Sequence, residues 1–214
     1  MTIKKYAHAC LLIELNGAKI LADVGSWNET PDATGVDAIL ITHEHMDHFE
    51  PEKLKAVMAK NPDARIITHA EVGAKLAEAG LKYEVIEPGQ SLDVKGVSIE
   101  SFGTDHAIIY GSTPPCRNTG FLIGGELFIT GDALHDVPTK PVRVLALPTG
   151  GPWMKLAEAI DYAKAVQPKI VFPVHDAMHT EVYQTMMVPR LLAAQLNPVG
   201  IEVVEMPAGA TKEF

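Results

Sequence analysis

Between Ile39 and His48 the chain reads Ile-Leu-Ile-Thr-His-Glu-His-Met-Asp-His. Nine histidines occur in the whole protein, and three of them fall in this stretch beside one aspartate. In extended chain, residues two apart point to the same side. His43 and His45 can therefore converge on one ion. Asp47 and His48 lie further into the turn, where the chain can redirect them to a second ion. Imidazole combined with carboxylate suits zinc, iron or manganese rather than calcium or magnesium. A solvated polar loop is the bland alternative, and a ligand set this dense after a strand argues against it.

Four residues cannot fully coordinate two ions. Three later positions can supply the rest: His106 in Gly-Thr-Asp-His-Ala, Asp132 in Thr-Gly-Asp, and His175 in Pro-Val-His. Each sits just beyond the end of an apolar run. A lone histidine in such a place is more often a capping residue than a ligand; the weight lies in the recurrence of one context. Two loops after these runs, Ala107–Asn118 and Thr149–Trp153, are expected to form pocket walls with Tyr110, Arg117 and Trp153, because function concentrates in loops held by rigid strands. For Arg117 an ordinary surface role is the stronger expectation. His135 could face substrate. Glu44 is expected to point away from its ligand neighbours, His179 to be solvent-exposed on a loop, and His69 to cap a helix or lie on the surface.

Turn chemistry and apolar periodicity give the elements that must position these groups. Asn16-Gly17 separates Cys10–Leu15 from Ala18–Ala22, Lys95-Gly96 separates Leu92–Val94 from Val97–Phe102, and Gly124-Gly125 separates Phe121–Ile123 from Glu126–Ile129. Such pairs supply the positive φ angles of tight hairpins, Lys-Gly less readily than the others. Helices are predicted over Pro51–Ala59, Val72–Ala79, Leu156–Val166 and about Met187–Leu196, the last with Pro189 in its first turn. Continuous apolar runs at Ala38–Ile41, Arg65–Thr68, Val142–Leu147 and Lys169–Val174 read as strands buried on both faces. The stretch Ala7–Leu15 reads as the first strand. Two mixed sheets face to face with helices outside both would bury every apolar face, a four-layer αββα sandwich of mixed α and β class. Residues 1–214 are expected to form a single domain.

Composition narrows the function. Hydrophobic residues are 47% and charged residues 21%, which is ordinary for a globular chain and excludes general disorder. The formal net charge of −9 argues against a uniformly basic nucleic-acid surface. No apolar run approaches the length of a membrane span. Cys10 and Cys116 are too few for a secreted disulfide framework and are expected to be free thiols. His8 and Glu14 interrupt the apolar N-terminal stretch and no small-residue cleavage site follows, so the expected location is the cytoplasm.

Taken together, these motifs resemble the metallo-β-lactamase-fold superfamily. Its H-x-H-x-D-H signature matches His43, His45, Asp47 and His48, and its later His, Asp and His match His106, Asp132 and His175 in order. The resemblance runs from Tyr6-Ala-His8-Ala to His175 and implies the αββα sandwich. It further implies one ion held by His43, His45 and His106, a second held by Asp47, His48 and His175, and Asp132 bridging the two. The start of the chain is similar to the lactonase-like branch, which places His8 and Asp23 around the centre, where a role in orienting a ligand is physically reasonable.

The activity this implies is hydrolysis of a small molecule (an ester, lactone, amide or phosphoester) by a metal-bridging hydroxide, with two divalent ions, zinc foremost, manganese or iron as alternatives. Two ions bring four positive charges against two from Asp47 and Asp132, and the excess favours ionising a water; zinc alone lowers that pKa to about 7. The rivals are a metal-dependent nuclease and a non-hydrolytic iron oxygenase or reductase of the same fold. The partner expected is a small-molecule substrate, with no membrane.

Overall fold

The computed structural model describes all 214 residues. The elements run β1 (Thr2–Ala7), β2 (Cys10–Leu15), β3 (Ala18–Ala22), β4 (Ala38–Leu40), α1 (Pro51–Lys60), β5 (Arg65–Thr68), α2 (Ala70–Glu78), β6 (Glu84–Val85), β7 (Ser91–Val94), β8 (Val97–Phe102), β9 (Gly120–Ile123), β10 (Leu127–Ile129), β11 (Val144–Pro148), α3 (Leu156–Val166), β12 (Ile170–Val174), α4 (Val188–Leu196), β13 (Glu202–Val203) and β14 (Thr211–Glu213). They form two seven-stranded sheets, ordered β14-β1-β2-β3-β4-β5-β6 and β13-β12-β11-β10-β9-β8-β7. Each is mixed. β1–β3 and β7–β10 pair antiparallel, whereas β3–β6 and β10–β13 pair parallel.

Alternation along the strands builds the layers. In β2, Leu11 and Ile13 face the other sheet and meet Ile99, Phe121, Ile123 and Phe172 in the central core. Their neighbours Cys10 and Leu12 turn outward to Leu54 and Val57 of α1 and Val72 and Leu76 of α2. On the far side, Leu122, Leu145 and Val171 pack on Ala159 and Tyr162 of α3 and Leu192 and Leu196 of α4. Strands between two apolar layers need apolar residues on both faces, which is why they read as unbroken runs. All three turns take the left-handed conformation: φ is 50° at Asn16 and 50° at Lys95, where Asp93 Oδ1 also accepts from Gly96 N at 2.9 Å. Glu50 caps α1 by accepting from Lys53 N at 2.7 Å, with Pro51 opening the helix.

Three readings need correction. Ala7–Leu15 is not one strand, because His8 adopts φ 52° and turns the chain between β1 and β2. The helix at 187–196 is preceded by a turn of wider π-helix over Tyr183–Met187. The short edge strands β6, β13 and β14 were not anticipated. No helix is long and apolar enough to cross a membrane, and both cysteines are free.

A buried ion pair is among the polar contacts that tie the sheets together. Lys5 of β1 is fully buried, and its Nζ donates to Asp176 Oδ2 at 2.6 Å and to the Pro173 carbonyl of β12 at 3.0 Å. Breaking one half of a buried pair strands the other charge and costs about 3–5 kcal/mol, whereas replacing both with apolar groups is often neutral or stabilising. Lys5→Met is therefore expected to lose about that much on denaturant unfolding. The double variant Lys5→Met with Asp176→Leu should recover most of it. Equal losses in the single and double variants would show that the pair itself contributes net stability.

Candidate metal centre

Four strand ends meet at one rim of the sandwich. Thr42 and His43 follow β4 of the first sheet, while His106, Asp132 and His175 follow β8, β10 and β12 of the second. Backbone hydrogen bonds close the seam: Thr119 N donates to Thr42 O at 2.9 Å, and His175 N donates to His8 O at 3.2 Å. Two glycines permit the approach. A Cβ on Gly25 would lie 1.8 Å from the Asp47 carbonyl oxygen, beside the ligand turn. Gly131 has φ +60°, and a Cβ there would lie 2.1 Å from Asn118 Oδ1 and 2.9 Å from Thr42 Cβ. Asn118 in turn accepts from Asp132 N at 3.0 Å and donates to Thr130 O at 2.8 Å, fixing the turn that carries Asp132.

The ligand-type atoms form two sets, each with its members within 4.8 Å of one another: His43, His45, His106 and Asp132 in one, His8, Asp47, His48 and His175 in the other. Asp132, 2% exposed, reaches both. Its Oδ2 lies 3.3 Å from His106 Nε2, 3.8 Å from His43 Nε2 and 3.0 Å from His175 Nε2, and its Oδ1 lies 3.2 Å from His48 Nε2. Asp47 Oδ2 lies 3.4 Å from His175 Nε2 and 3.9 Å from His48 Nε2.

The far nitrogens of these rings are all occupied. His106 Nδ1 donates to the Ala107 carbonyl and His175 Nδ1 to the Gly150 carbonyl, each at 2.6 Å. His48 Nδ1 donates to Asp23 Oδ2 at 2.8 Å, and His43 Nδ1 lies 3.0 Å from the Thr42 hydroxyl. Asp23 also accepts from Thr42 N and Oγ1, both at 2.9 Å, so one buried carboxylate orients the ligand strand and His48 together. With Nδ1 committed to these oxygens, each of these four imidazoles turns Nε2 inward, the atom an ion would take in place of any proton there. His45 is reversed: its Nδ1 lies 3.2 Å from His43 Nε2 and its Nε2 lies 3.8 Å from Cys116 Sγ. His48 Nε2, His106 Nε2, His175 Nε2 and Asp132 Oδ1 are buried and make no aligned hydrogen bond. Buried donors and acceptors normally have partners. A converging nitrogen and carboxylate set without them fits divalent ions of the zinc type.

The remaining residues singled out from sequence fall into two classes. His8, Asp23 and Trp153 adjoin the centre. The Trp153 ring lies 5.9 Å from that of His106 and 5.8 Å from that of His175, so it packs against one member of each set. The other three are not gathered in. Tyr110 is 95% exposed. His135 pairs with Asp136 Oδ2 at 3.3 Å, and the Arg117 guanidinium pairs with Glu87 at 3.3 Å. Glu44 is turned to Lys75 at 3.3 Å. His179 is held rather than free, with its Nε2 3.1 Å from Thr149 O. His69 is neither a side-chain cap nor a surface group; it is fully buried at the start of α2 with both ring nitrogens unpartnered. Thr42 carries no sequence signal of its own beyond standing directly before His43, and Asn118 and Cys116 are marked only by lying in the expected pocket-wall loop Ala107–Asn118.

Comparison with known proteins follows the same lines. A family model described as a β-lactamase superfamily domain matches residues 2–175. A UPF0173 protein of Pyrococcus abyssi is 34% identical over 183 residues, covering 82% of this chain and 83% of its own. A UPF0173 metal-dependent hydrolase of Thermoplasma acidophilum is 26% identical over 185 residues, covering 79% and 80%. The solved structure of Igni18, a metallo hydrolase from Ignicoccus hospitalis, aligns over 100% of both chains with a TM-score of 0.75 at 21% identity.

In the metal-free protein the carboxylates hold protons in the centre. Burial alone would lower His175, but Asp132 and Asp47 outweigh it and lift the imidazole to about 9. Burial likewise opposes His48, yet Asp132 and Asp23 hold it well above the ordinary value. Burial also sets His43 well below that value, reinforced by its imidazole neighbours. A pKa raised on folding adds stability that is complete below the unfolded value of about 6.5. For His175 that stability is lost as pH rises through about 9. Nitrogen–proton NMR of the metal-free protein near neutral pH should therefore show both ring nitrogens of His48 and His175 protonated. Titration with Zn²⁺ should remove the Nε2 proton of each and acidify a weakly buffered solution. A neutral His175 in the metal-free protein at that pH would overturn the assignment.

Proposed function

This chain belongs to the β-lactamase superfamily and is a metal-dependent hydrolase within it, and we propose that its centre takes two divalent ions, zinc foremost, to cleave an ester, lactone, amide or phosphoester bond of a small molecule. His43, His45 and His106 would hold one ion and Asp47, His48 and His175 the other, with Asp132 between them. The observation that carries this reading is the position of the Asp132 carboxylate, within 3.0–3.8 Å of His43, His106, His48 and His175, contributed by both sets.

When bound, two such ions acidify a water to a pKa near 7 and polarise the bond under attack. The protein supplies the rest. Only two carboxylates lie among the ligands, so the filled site keeps net positive charge for an anionic transition state. Asp23, Thr42, Asn118 and the Gly150 and Ala107 carbonyls hold the ligands from behind, so little reorganisation is needed. Trp153, 8% exposed, walls the centre and limits water. Met46, Ile108, Ile109 and Met178, close in sequence to the ligands, expose apolar surface. Together with the net charge of −9, this favours a compact substrate over a nucleic-acid polyanion.

Purified protein, stripped of metal and reloaded with Zn²⁺ or Mn²⁺, is to be assayed for bound metal and against chromogenic esters, lactones, amides and phosphodiesters. The expected result is two ions per chain and hydrolysis that returns on reloading. Asp132→Ala should lose metal and activity together, and Asp132→Ala that retains two tightly bound ions would sink the bridging role. Turnover only with iron and with oxygen consumed would replace hydrolysis by the oxygenase reading. Cleavage of labelled RNA that falls steeply with salt would replace it by the nuclease reading.

A further inference from the structure

His8 lies in the second set, with its Nε2 3.1 Å from Asp47 Oδ2. On distance alone it is a further ligand for that ion. Its other nitrogen decides otherwise. His8 Nδ1 accepts a hydrogen bond from the backbone N–H of Ala177 at 3.2 Å. An amide nitrogen only donates, so Nδ1 carries the lone pair and the ring proton sits on Nε2. This is the reverse of His43, His48, His106 and His175, whose Nδ1 atoms face oxygens and whose Nε2 atoms point inward.

We propose that His8 is a positioning residue and not a metal ligand: its Nε2–H donates to Asp47 Oδ2 and aims that carboxylate at the second ion. The inference rests on the two-ion reading above. The backbone agrees with it. The left-handed turn at His8, φ 52°, directs its carbonyl to accept from His175 N at 3.2 Å. One residue thus grips Asp47, which follows the first sheet, and His175, which follows the second. The Trp27 ring meets the His8 ring edge-on at 4.8 Å between centroids and limits its rotation. Glutamine at this position could still donate an N–H of similar reach, whereas alanine could not.

The test uses the full chain with Zn²⁺, and with ¹¹³Cd²⁺ for spectroscopy. Long-range nitrogen–proton NMR of the metal-loaded wild type should show His8 protonated at Nε2 and bare at Nδ1, with no coupling to cadmium. Loss of that proton, or coupling of His8 to cadmium, would make it a ligand and overturn the proposal. Metal titration of His8→Ala should leave one ion bound as in wild type and weaken the other by about 10–100-fold, the usual effect of losing a residue that orients a ligand. His8→Gln should restore most of that affinity. Wild-type affinity for both ions in His8→Ala would also overturn the positioning role. A wild type that saturates at one ion would defeat the two-ion reading instead, and the site of the His8 proton would still decide between ligand and donor. Because that readout needs no variant, it stands even if His8→Ala fails to fold.

Discussion

The constraint on which the rest of the structure turns is the burial of Asp132 among imidazoles contributed by both sheets. A carboxylate 2% exposed has little water to solvate it. Burial opposes its charge, yet His48 and His175 hold its pKa well below the ordinary range. Those imidazoles must therefore arrive within hydrogen-bonding distance, and they come from opposite sheets. The sandwich is not merely a scaffold beneath a site; its two halves are registered by that encounter.

Backbone geometry makes the encounter feasible. Strand ends that carry ligands normally diverge as sheets twist. Here Gly25 lets the segment after β3 lie against the Asp47–His48 turn, and Gly131 lets the Asp132 turn lie against Thr42 and Asn118. Behind them, Asp23 binds Thr42 and His48 at once. Lys5 and His8 draw the end of β12 onto β1. His43, His48, His106 and His175 thus have Nδ1 committed to the scaffold, and their Nε2 atoms have one direction left.

Much of this was legible in the sequence because it depends on local chemistry. The ligand types are rare enough that three histidines and an aspartate in six residues stand out. Positive-φ turn pairs placed β2, β3 and the hairpin of β7 and β8 within a residue or so, and helix α3 was bounded correctly by its periodicity and Pro168. What was not legible depends on distant partners. β13 and β14 are two and three residues long and form only because Ile170–Val171 and Thr2–Lys4 offer them an edge. For Arg117 the sequence favours an ordinary surface role but cannot name the partner, Glu87, which is remote in sequence. No glycine or proline beside His8 marks a turn; its carbonyl and ring bonds to the loop after β12 hold it at positive φ.

These facts couple metal, proton and fold in one way. Without an ion, His48 stands between Asp23 and Asp132, and His175 stands between Asp47 and Asp132, so protons occupy the role of cations and the three carboxylates remain compensated. An ion entering the second set, which holds both of these histidines, would replace protons rather than fill an uncompensated hole. The centre can then stay assembled in either state, and metal binding need not fold the chain as it does in small zinc domains that lack a core. The large apolar layers on both faces of each sheet supply the stability that such domains lack. Any ion held there would consequently take its position from the sheets and not the reverse.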